Sequence, residues 1–342
     1  MSARTANAAN AASDLYPWLV ADIGGTNARF GLVHGPDAVV HDIVALRCAD
    51  HAGPEEAALS YLEQIGTRSG ARPQPRLAGF AVATPIKGDT IKLTNNPWVL
   101  VRPQLERELG VRRLHLFNDF EVLALALPHL EDDDVQLFGN GVFDRHLPMT
   151  VIGPGTGLGV AACVPSGRGW VALASEGGHV TACAGDEFEC QVLQVIRLEH
   201  AHVSAERVLS GIGLPLLHRA VSNVRGVTAE DLAAEEISRR ALDDGDPDCR
   251  ATLDVFCAML GTFAGNVALT VGARGGVFVA GGIAQKIGPF LVQSRFRERF
   301  EAKGRFRSYM AGIATGLLTA PHAALSGAAH GIENALCETQ ND

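Results

Sequence analysis

Two short apolar runs near the start of the chain are joined by polar residues and glycines. The stretch LVADIGGTNARFGLV, residues 19–33, has an apolar run, the break Asp22-x-Gly-Gly-Thr-Asn and a second apolar run. Apolar runs on both sides of a glycine-rich break predict the two strands of a hairpin. The break is more polar than a turn requires, so we expect a ligand to bind against it.

A strand followed by a helix is predicted further along the same half. The run LAGFAV, Leu77–Val82, predicts a strand, and the Pro- and Gly-punctuated stretch ATPIKGDTIKLTNNPW after it predicts a loop. Within residues 114–130, LHLFNDFEVLALALPHL, a β-like run gives way at Asn118 to an apolar helix that Pro128 ends. The acidic patch EDDD, residues 131–134, predicts a solvated connector and a domain boundary.

The opening pattern is repeated in the second half of the chain. The stretch MTVIGPGTGLGVAACV, residues 149–164, has an apolar run, Gly-x-Gly-Thr and a second apolar run. Aligning Gly25-Thr26 with Gly155-Thr156 superposes the flanking apolar runs as well. Two matched strand-turn-strand units predict a duplicated α/β fold whose two lobes face each other across a cleft.

The rest of the second half is predicted to be mostly helical. Ser204 is the expected N-cap and Gly211 the expected end of a helix in SAERVLSGIG, and a long apolar helix is expected over 251–272. The run GVFV leads through two glycines into another helix, which predicts a strand-turn-helix. In SRFRERFEAKGRFRSYM we expect a surface helix with Phe296 and Phe300 facing the core at i, i+4.

Composition narrows the classes of partner and the compartment. At 342 residues the chain can form two domains with their own cores. The 29 Lys+Arg against 38 Asp+Glu give a net charge of −9, which disfavours nucleic acid and anionic membranes as partners. Residues 1–17 lack the apolar core of a signal peptide and are expected to be a disordered leader. No run reaches the roughly 18 uninterrupted apolar residues of a membrane helix, so we expect a cytoplasmic protein.

The two glycine turns are candidate phosphate sites. The sequence has no GxxxxGK[ST] P-loop, and GPGTGLG breaks the GxGxxG spacing, so a Rossmann oxidoreductase is the poorer explanation. Glycines permit φ > 0, which lets successive N–H groups at a hairpin tip form a concave nest for phosphate. Asp22 would then face a metal ion through water, and Thr26 would donate its hydroxyl to a phosphate oxygen. The alternative is a plain hairpin with Asp and Asn in ordinary turn roles.

Six motifs, in order and over nearly the whole chain, resemble those of the bacterial glucokinase family of the hexokinase/actin-like ATPase superfamily: DIGGTNARF, FNDF, GPGTGLGVA, EGGHV, HVSAERVLSG and VAGGI. The resemblance implies a two-lobed actin-like ATPase (ribonuclease H-like) fold and ATP- and Mg²⁺-dependent phosphorylation of glucose at its 6-hydroxyl. We expect a small α/β domain over 18–129, completed as in the family by 321–342, and a large α/β domain over 130–320. A homodimer is also implied.

The same resemblance assigns the ligand-binding positions. DIGGTN and GPGTG are the two phosphate loops, and VAGGI lies beside the adenosine. The nucleotide-binding positions are then Ala21, Asp22, Ile23, Gly24, Gly25, Thr26, Asn27, Gly155, Thr156, Gly157, Gly281 and Gly282, and Asp22 is also the residue that holds Mg²⁺ through water. The sugar-binding positions are Asn118, Asp119, Glu176, His179 and Glu206. These residue types suit a sugar, because each hydroxyl both donates and accepts hydrogen bonds.

Phosphoryl transfer to a hydroxyl also needs an acceptor for its proton, and Asp119 is our candidate. It is predicted to lie where a strand ends and a helix begins, where the helix dipole favours the carboxylate form. A helix cap is the alternative role for Asp119. The alternative for Glu206 is a place in the first turn of its helix, and for His179 a structural role. Further candidates for contact with the sugar are Thr94, Asn95 and Asn96.

The cysteines give no sign of a metal site. The chain has seven, an odd number without a CxxC pair, which favours reduced structural thiols. A related repressor-and-sugar-kinase family carries a Cys-rich zinc site after its own Gly-His motif. Here Cys183 and Cys190 follow His179, but the CxCGxxGC run is missing and no fourth ligand is evident. We therefore predict no structural zinc.

Two other functions stay open at this point. A kinase of the same fold acting on another hexose, such as mannose or N-acetylglucosamine, would carry similar motifs. A non-catalytic sugar sensor or transcriptional regulator is disfavoured by the complete phosphate loops, by Asp119, and by the lack of a helix-turn-helix or basic face.

Overall fold

The computed structural model describes residues 15–339, which divide into two units. Of the described residues, unit 1 comprises 15–126, the segment Ser166–Ala172 and 321–339; unit 2 comprises Leu127–Pro165 and Leu173–Ala320. The leader expected over 1–17 lies outside the described residues as far as residue 14.

One segment lies in a different unit from the one we expected. We placed 166–172 in the large domain, whereas the structure groups it with unit 1. Gly169 of this segment lies close to the C-terminal part of unit 1, because a Cβ added at Gly169 would lie 2.5 Å from Oδ1 of Asn334.

Unit 1 is built on a five-stranded sheet. Its strands are β1 (Trp18–Ile23), β2 (Asn27–Val33), β3 (Val40–Arg47), β4 (Leu77–Val82) and β7 (Arg113–Asn118), and a separate antiparallel pair consists of β5 (Thr90–Lys92) and β6 (Val99–Val101). The strand order is β3-β2-β1-β4-β7. β1 is antiparallel to β2 and parallel to β4, and β4 is parallel to β7. The predicted hairpin and the strand at β4 are confirmed, whereas the loop predicted after β4 contains the short strand β5.

Three helices follow these strands: α1 (Pro54–Ser69), α2 (Arg102–Leu109) and α3 (Asp119–Ala126). α3 begins directly where β7 ends, as the sequence predicts for the residues after Asn118. A 3₁₀ turn, Leu127–His129, contains Pro128 and ends this helical segment. The acidic patch that we predicted to be a solvated connector forms a second 3₁₀ turn, Asp132–Asp134, with exposed side chains at Asp132 and Asp133.

A six-stranded sheet, which lies in unit 2 except for Ser166 and Gly169–Ala172, repeats the sheet of unit 1 with one added strand. Its strands are β8 (Val135–Phe138), β9 (Met149–Pro154), β10 (Leu158–Ser166), β11 (Gly169–Ser175), β12 (Gly276–Val279) and β13 (Thr315–Leu318), in the order β11-β10-β9-β12-β13-β8. β9 is antiparallel to β10 and parallel to β12, and β12 is parallel to β13. Without β8 the order matches that of unit 1 strand for strand, so the predicted duplication is confirmed.

The remaining helices are α4 (Glu187–Arg197), α5 (Ala205–Val208), α6 (Gly213–Val224), α7 (Ala234–Arg239), α8 (Pro247–Val271), α9 (Gly282–Lys286), α10 (Gly288–Gln293), α11 (Phe296–Glu301), α12 (Arg307–Ala311) and α13 (Ala323–Thr339). Ser204 caps α5 as predicted, since its hydroxyl accepts the N–H of Arg207 at 3.1 Å. α5 ends at Val208, however, three residues before the glycine at which we expected it to end.

The alternating sides of β1 pack in two apolar clusters. Leu19 and Ile23 belong to a cluster with Tyr61 of α1, and Trp18 belongs to another with Ile332 of α13. A strand buried on both faces has a nearly continuous apolar sequence, which explains the run WLVADI. α13 therefore supplies part of the core of unit 1.

α8 is the central helix of unit 2. Among the described residues it is the one helix whose length and composition would allow it to cross a membrane, with a mean hydropathy of 1.5 in its most apolar window. In that window 67% of the residues are buried inside the protein. Phe256 and Leu260 of α8 belong to the main core of this unit, together with Phe296 and Phe300. α8 thus has the burial of a core helix.

The basic segment after residue 293 differs from our expectation. Phe296 and Phe300 are buried as predicted, but the segment is broken into α11, a 3₁₀ turn and α12 rather than forming one surface helix. Arg299 of α11 is buried. Its guanidinium donates to Asp186 and, at 3.0 Å, to the fully buried carboxylate of Glu189. Burial of a charge of this kind requires such partners, and the i, i+4 pattern alone does not reveal them.

Candidate active site

The turn between β1 and β2 is fixed through its backbone. The N–H of Gly24 donates to the carbonyl of Asn27 at 3.0 Å, which closes the turn. The N–H of Cys48 donates to the carbonyl of Thr26 at 2.9 Å. Both bonds use main-chain groups, so the Thr26 hydroxyl stays available for another partner.

Two asparagines pack against this turn. The buried Asn96 donates its side-chain amide to the carbonyl of Gly24 at 3.2 Å and accepts the N–H of Trp98 at 2.9 Å. A Cβ added at Gly25 would lie 2.9 Å from the backbone oxygen of Asn95, so the turn has room only for glycine there. We considered Asn96 as a sugar contact; its amide instead holds the turn. Thr94 and Asn95 are exposed.

Asp22 lies at the end of β1 opposite Arg29 of β2. The two are cross-strand partners, and an Arg29 guanidinium nitrogen lies 3.3 Å from Oδ2 of Asp22. Burial raises the pKa of Asp22, and the charge of Arg29 opposes that rise. Asp22 is therefore a partly paired carboxylate with capacity for a further cationic partner.

The junction of β7 and α3 carries a reciprocal helix cap. Oδ1 of Asn118 accepts the N–H of Phe120 at 3.0 Å, and the carboxylate of Glu121 accepts the N–H of Asn118 at 3.0 Å. The pair resembles a capping box, except that Asn118 accepts the N–H of the second helical residue instead of the third, and its signal in the sequence is the spacing Asn-x-x-Glu. Asn118 also donates its amide to the carbonyl of Thr84 at 3.4 Å. Its two local partners give Asn118 a structural role beside any contact with a sugar.

Asp119 is therefore not needed as the cap. One of its oxygens accepts the N–H of Phe120 at 3.0 Å, a donor that Asn118 already serves. Burial raises the pKa of Asp119 to about 6, the hydrogen bond from Phe120 counters part of that rise, and the negative charge of Asp22 adds to it. A carboxylate with a pKa just below neutrality is ionised at pH 7 and still basic enough to accept a proton.

The turn between β9 and β10 is fixed in a different way. The N–H of Gly155 donates to the carbonyl of Gly157 at 2.9 Å, and the N–H of Leu158 donates to Oε2 of Glu206 at 2.9 Å. The Glu206 carboxylate occupies the space that a Cβ at Gly157 would need. Around Gly155, by contrast, an added Cβ would meet no atom of the described residues within 4 Å.

The turn glycines do not use the positive φ that glycine permits. Positive φ occurs at none of Gly24, Gly25, Gly155 and Gly157. Close neighbours require glycine at Gly25 and Gly157 instead. Gly281, just before α9, does have positive φ, at 91°. A Cβ there would lie 2.7 Å from the carbonyl oxygen of Pro154, which places the VAGG turn beside the end of β9.

Three predicted sugar-binding residues of unit 2 lie together. Nε2 of His179 is 3.8 Å from the Glu176 carboxylate, and Nδ1 of His179 is 3.8 Å from Oε1 of Glu206. The Glu176 and His179 side chains are 68% and 61% exposed, and that of Glu206 is 33% exposed. An imidazole between two accessible carboxylates supplies both donors and acceptors, as polyhydroxyl recognition requires.

The structure places the first two cysteines after His179 at the surface. Cys183 and Cys190 are both exposed free thiols. Within residues 15–339, no three or more His, Cys, Asp and Glu side chains are grouped so that they could hold a metal ion. A magnesium ion bound largely through phosphate oxygens and water does not need such a cluster.

An apolar cavity of about 260 Å³ lies behind the Gly177 turn. Its lining includes Val180, Met259, Phe263 and Val271. Such walls do not satisfy the hydroxyls of a sugar. The polar group of Glu176, His179 and Glu206 is therefore the better candidate for sugar binding.

Comparison with known proteins identifies the family. The family model described as Glucokinase matches residues 19–335. The chain belongs to the glucokinase family. The glucokinase of Aromatoleum aromaticum is 45% identical over 95% of this chain and 97% of its own length, and that of Paramagnetospirillum magneticum is 47% identical over 91% and 96%. The crystal structure of a glucokinase from an Antarctic psychrotroph superposes with a TM-score of 0.86 at 36% identity, covering 93% of this chain and 99% of that one.

Membership of the glucokinase family agrees with the duplicated α/β fold. The predicted site residues are divided between the two units of the chain. Unit 1 contains the β1–β2 turn with Ala21 to Asn27, and also Asn118 and Asp119; unit 2 contains the β9–β10 turn with Gly155 to Gly157, and also Glu176, His179, Glu206, Gly281 and Gly282.

Proposed function

We propose that the protein is a glucokinase that transfers the γ-phosphoryl group of ATP to the 6-hydroxyl of glucose, giving glucose 6-phosphate and ADP. The observation that carries the proposal is Asp119, a partly buried carboxylate whose pKa is raised to about 6 and whose capping role is taken by Asn118 and Glu121. Membership of the glucokinase family supports the choice of substrate.

Asp119 acts as the proton acceptor. As the bond between the glucose O6 and the γ-phosphorus forms, the O6–H proton passes to the Asp119 carboxylate, and the bond from phosphorus to the β–γ bridging oxygen breaks to release ADP. Phosphoryl transfer has a loose transition state with little charge on the attacking oxygen, so a modest base suffices. The ionised carboxylate that this step needs is the major form above the pKa of about 6.

Glu176, His179 and Glu206 bind the sugar hydroxyls, and Asn118 contributes through its remaining amide capacity. Carboxylates accept from hydroxyls, and an imidazole accepts or donates according to its tautomer. The exposure of Glu176 and His179 supports this assignment, because groups that face solvent can exchange water for a sugar.

The two glycine turns bind the phosphates of ATP. The open space beside Gly155 supports an approach of the triphosphate to the backbone there, and Gly281 and Gly282 lie by the adenosine. Asp22 would hold Mg²⁺ through water, and carboxylate oxygens suit that hard cation. When bound, Mg²⁺ neutralises the charge of the phosphates. The raised pKa of both Asp22 and Asp119 supports a cation there, because a nearby positive charge relieves the cost of ionising buried acids.

The finer assignments follow from the same resemblance. We infer that the enzyme works as a cytoplasmic homodimer and needs neither zinc nor nucleic acid. Sedimentation of the purified protein tests the oligomeric state, because a dimer has twice the 36.1 kDa mass of the chain.

The experiment that tests the function is turnover by the purified chain with ATP, Mg²⁺ and a panel of hexoses. We expect kcat/KM to be highest for glucose, with mannose and N-acetylglucosamine well below it. Pockets that hydrogen-bond a hydroxyl can reject analogues lacking it by about 10⁴-fold. A higher kcat/KM for another hexose would transfer the assignment to that sugar, and ADP release without any dependence on sugar would contradict it.

A further inference from the structure

One segment of unit 2, residues 203–211, makes hydrogen bonds with two parts of the proposed site. These are the chain that follows the sugar-binding His179 and the phosphate-binding β9–β10 turn. On one side it pairs with the chain that follows His179. The N–H of Ala182 donates to the carbonyl of Val203 at 2.9 Å, and the N–H of Ala205 donates to the carbonyl of Val180 at 2.8 Å. These bonds fix the position of His179 relative to α5.

On its other side the same segment fixes the β9–β10 turn. The N–H of Gly211 donates to the carbonyl of Gly155 at 2.7 Å. The side chain of Glu206 accepts the N–H of Leu158 at 2.9 Å and fills the space beside Gly157. One main-chain bond and one carboxylate therefore determine where the turn lies.

The two oxygens of Glu206 face different partners. Oε2 accepts the N–H of Leu158, whereas Oε1 lies 3.8 Å from Nδ1 of His179. A hydrogen bond from a backbone N–H to a carboxylate is stronger than one to a neutral acceptor. Leu158 is buried, so its N–H would have to find another acceptor or remain unsatisfied if Glu206 were removed.

We propose that Glu206 is a positioning residue for the nucleotide as well as a sugar ligand, because its Oε2 holds the phosphate-binding turn in place while its Oε1 faces the sugar-binding His179. The inference rests on the proposed function, which assigns the two ligands to these two groups. A glucose hydroxyl that binds Glu206 also restricts its rotamers and thereby orders the turn. The turn then loses less conformational entropy when ATP binds. By thermodynamic linkage, bound ATP strengthens the binding of glucose by the same factor.

Glu176 provides a matched control on the other side of His179. Its carboxylate lies 3.8 Å from Nε2 of His179, the same distance as that of Glu206 from Nδ1. In the described part of the chain, no hydrogen bond joins the Glu176 carboxylate to the β9–β10 turn. Removal of Glu176 should therefore affect glucose and spare the nucleotide.

The test is calorimetric titration of the purified full chain with a non-hydrolysable ATP analogue and Mg²⁺, first without glucose and then at saturating glucose. We expect Glu206→Ala to weaken binding of the analogue without glucose by roughly tenfold or more, as the loss of a hydrogen bond to a charged group predicts. Glu206→Gln retains a side-chain oxygen for Leu158, so its analogue affinity without glucose should stay within about threefold of wild type. Glu176→Ala should leave that affinity unchanged.

Wild-type affinity of Glu206→Ala for the analogue without glucose would overturn the inference. If Glu206→Ala does not fold, Glu206→Gln is used instead. An affinity of Glu206→Gln for the analogue as low as one tenth of wild type would contradict the role of the retained side-chain oxygen as the acceptor for Leu158. Because these titrations without glucose require no turnover, they are separable from the proposed function. A wild-type chain that binds the analogue but phosphorylates no hexose would disprove the function and leave the role of Glu206 in the turn to be judged by the same variants.

Discussion

The two glycine turns share one frame and are held by different chemistry. Each lies at the tip of an antiparallel hairpin whose first strand is parallel to a third strand, β4 or β12. The β1–β2 turn is held by the neutral amide of Asn96, and the β9–β10 turn by the carboxylate of Glu206. The acids beside the first turn, Asp22 and Asp119, have raised pKa values because they are buried.

Under the proposed function, this difference assigns separate tasks in one reaction to the two halves of a duplicated fold. Buried acids with a raised pKa are suited to proton transfer and to a cation, whereas accessible acids around a histidine are suited to recognition of hydroxyls. The shared strand order determines where the turns lie. The residues packed against each turn determine what the turn can do.

The largest effect should come from the chemistry assigned to unit 1. Asp119→Asn removes the proposed proton acceptor and keeps the shape, so kcat should fall by roughly 10²–10⁴ while glucose still binds measurably. Steady-state kinetics with a glucose titration measures both. Asp133→Asn changes an exposed acid of the 3₁₀ turn after α3 and should leave kcat unchanged. Turnover of Asp119→Asn within threefold of wild type would eliminate this role.

A pair of glycine variants compares the two turns directly. Gly25→Ala places a Cβ 2.9 Å from a backbone oxygen, so it should lower the free energy of unfolding by about 1–3 kcal/mol. Gly155→Ala meets open space, so it should leave stability unchanged while raising the KM for ATP by roughly tenfold, because its Cβ would stand where a phosphate approaches.

Thermal denaturation and ATP kinetics of both variants check this pair. An unchanged KM for ATP in Gly155→Ala would show that the triphosphate does not approach that part of the backbone. Unchanged stability in Gly25→Ala would show that Asn95 can move away.

The pH dependence of the wild type should follow the raised pKa of Asp119. The proposed acceptor must be ionised to take the proton, so kcat/KM should fall about tenfold for each pH unit below a pKa of about 6. Rates across pH 4.5–8 measure this acidic limb. In Asp119→Asn the residual rate should lack it, and a limb that persists in the variant would assign the titration to another group.

The smallest predicted effect is that of Asp119→Asn on stability. The substitution should make the protein more stable although it lowers the activity. The pKa of Asp119 is raised from its ordinary 3.8 to about 6, so the folded state binds the proton more tightly than the unfolded state does. Charged Asp119 therefore destabilises the protein above about pH 6, and this cost disappears as the pH falls towards 4.

Asp119→Asn should accordingly raise the free energy of unfolding at pH 8 by at most about 3 kcal/mol. Partial exposure of Asp119 reduces the gain below that limit. Chemical denaturation at pH 8 and at pH 4.5 measures the difference, which should shrink at the lower pH. A variant less stable than wild type at pH 8 would contradict a buried, costly charge.

Much of the fold was predictable from hydrophobic periodicity. The hairpin at residues 19–33, its repeat at 149–164 and the β7–α3 junction each carry strong local signals, because apolar runs and glycine breaks act over a few residues. The partners of Arg299 were not predictable, since Asp186 and Glu189 lie more than 100 positions away in the sequence. Packing over such distances leaves no local pattern.

The candidate site was predictable in its members and less so in its details. The spacing Asn118-x-x-Glu121 is a visible signal for the helix cap, and it distinguishes the role of Asn118 from that of Asp119. The reason for glycine at Gly25 and Gly157 was not visible, because it depends on Asn95 and on Glu206, which are distant in the sequence.

The central claim is chemical, and phosphorus NMR of a reaction containing the purified chain, ATP, Mg²⁺ and glucose tests it most directly. The γ-phosphate signal of ATP should be replaced by that of a phosphate ester on O6 of glucose, with one ADP formed for each ester. Inorganic phosphate as the only product, or an ester at a different hydroxyl, would contradict it.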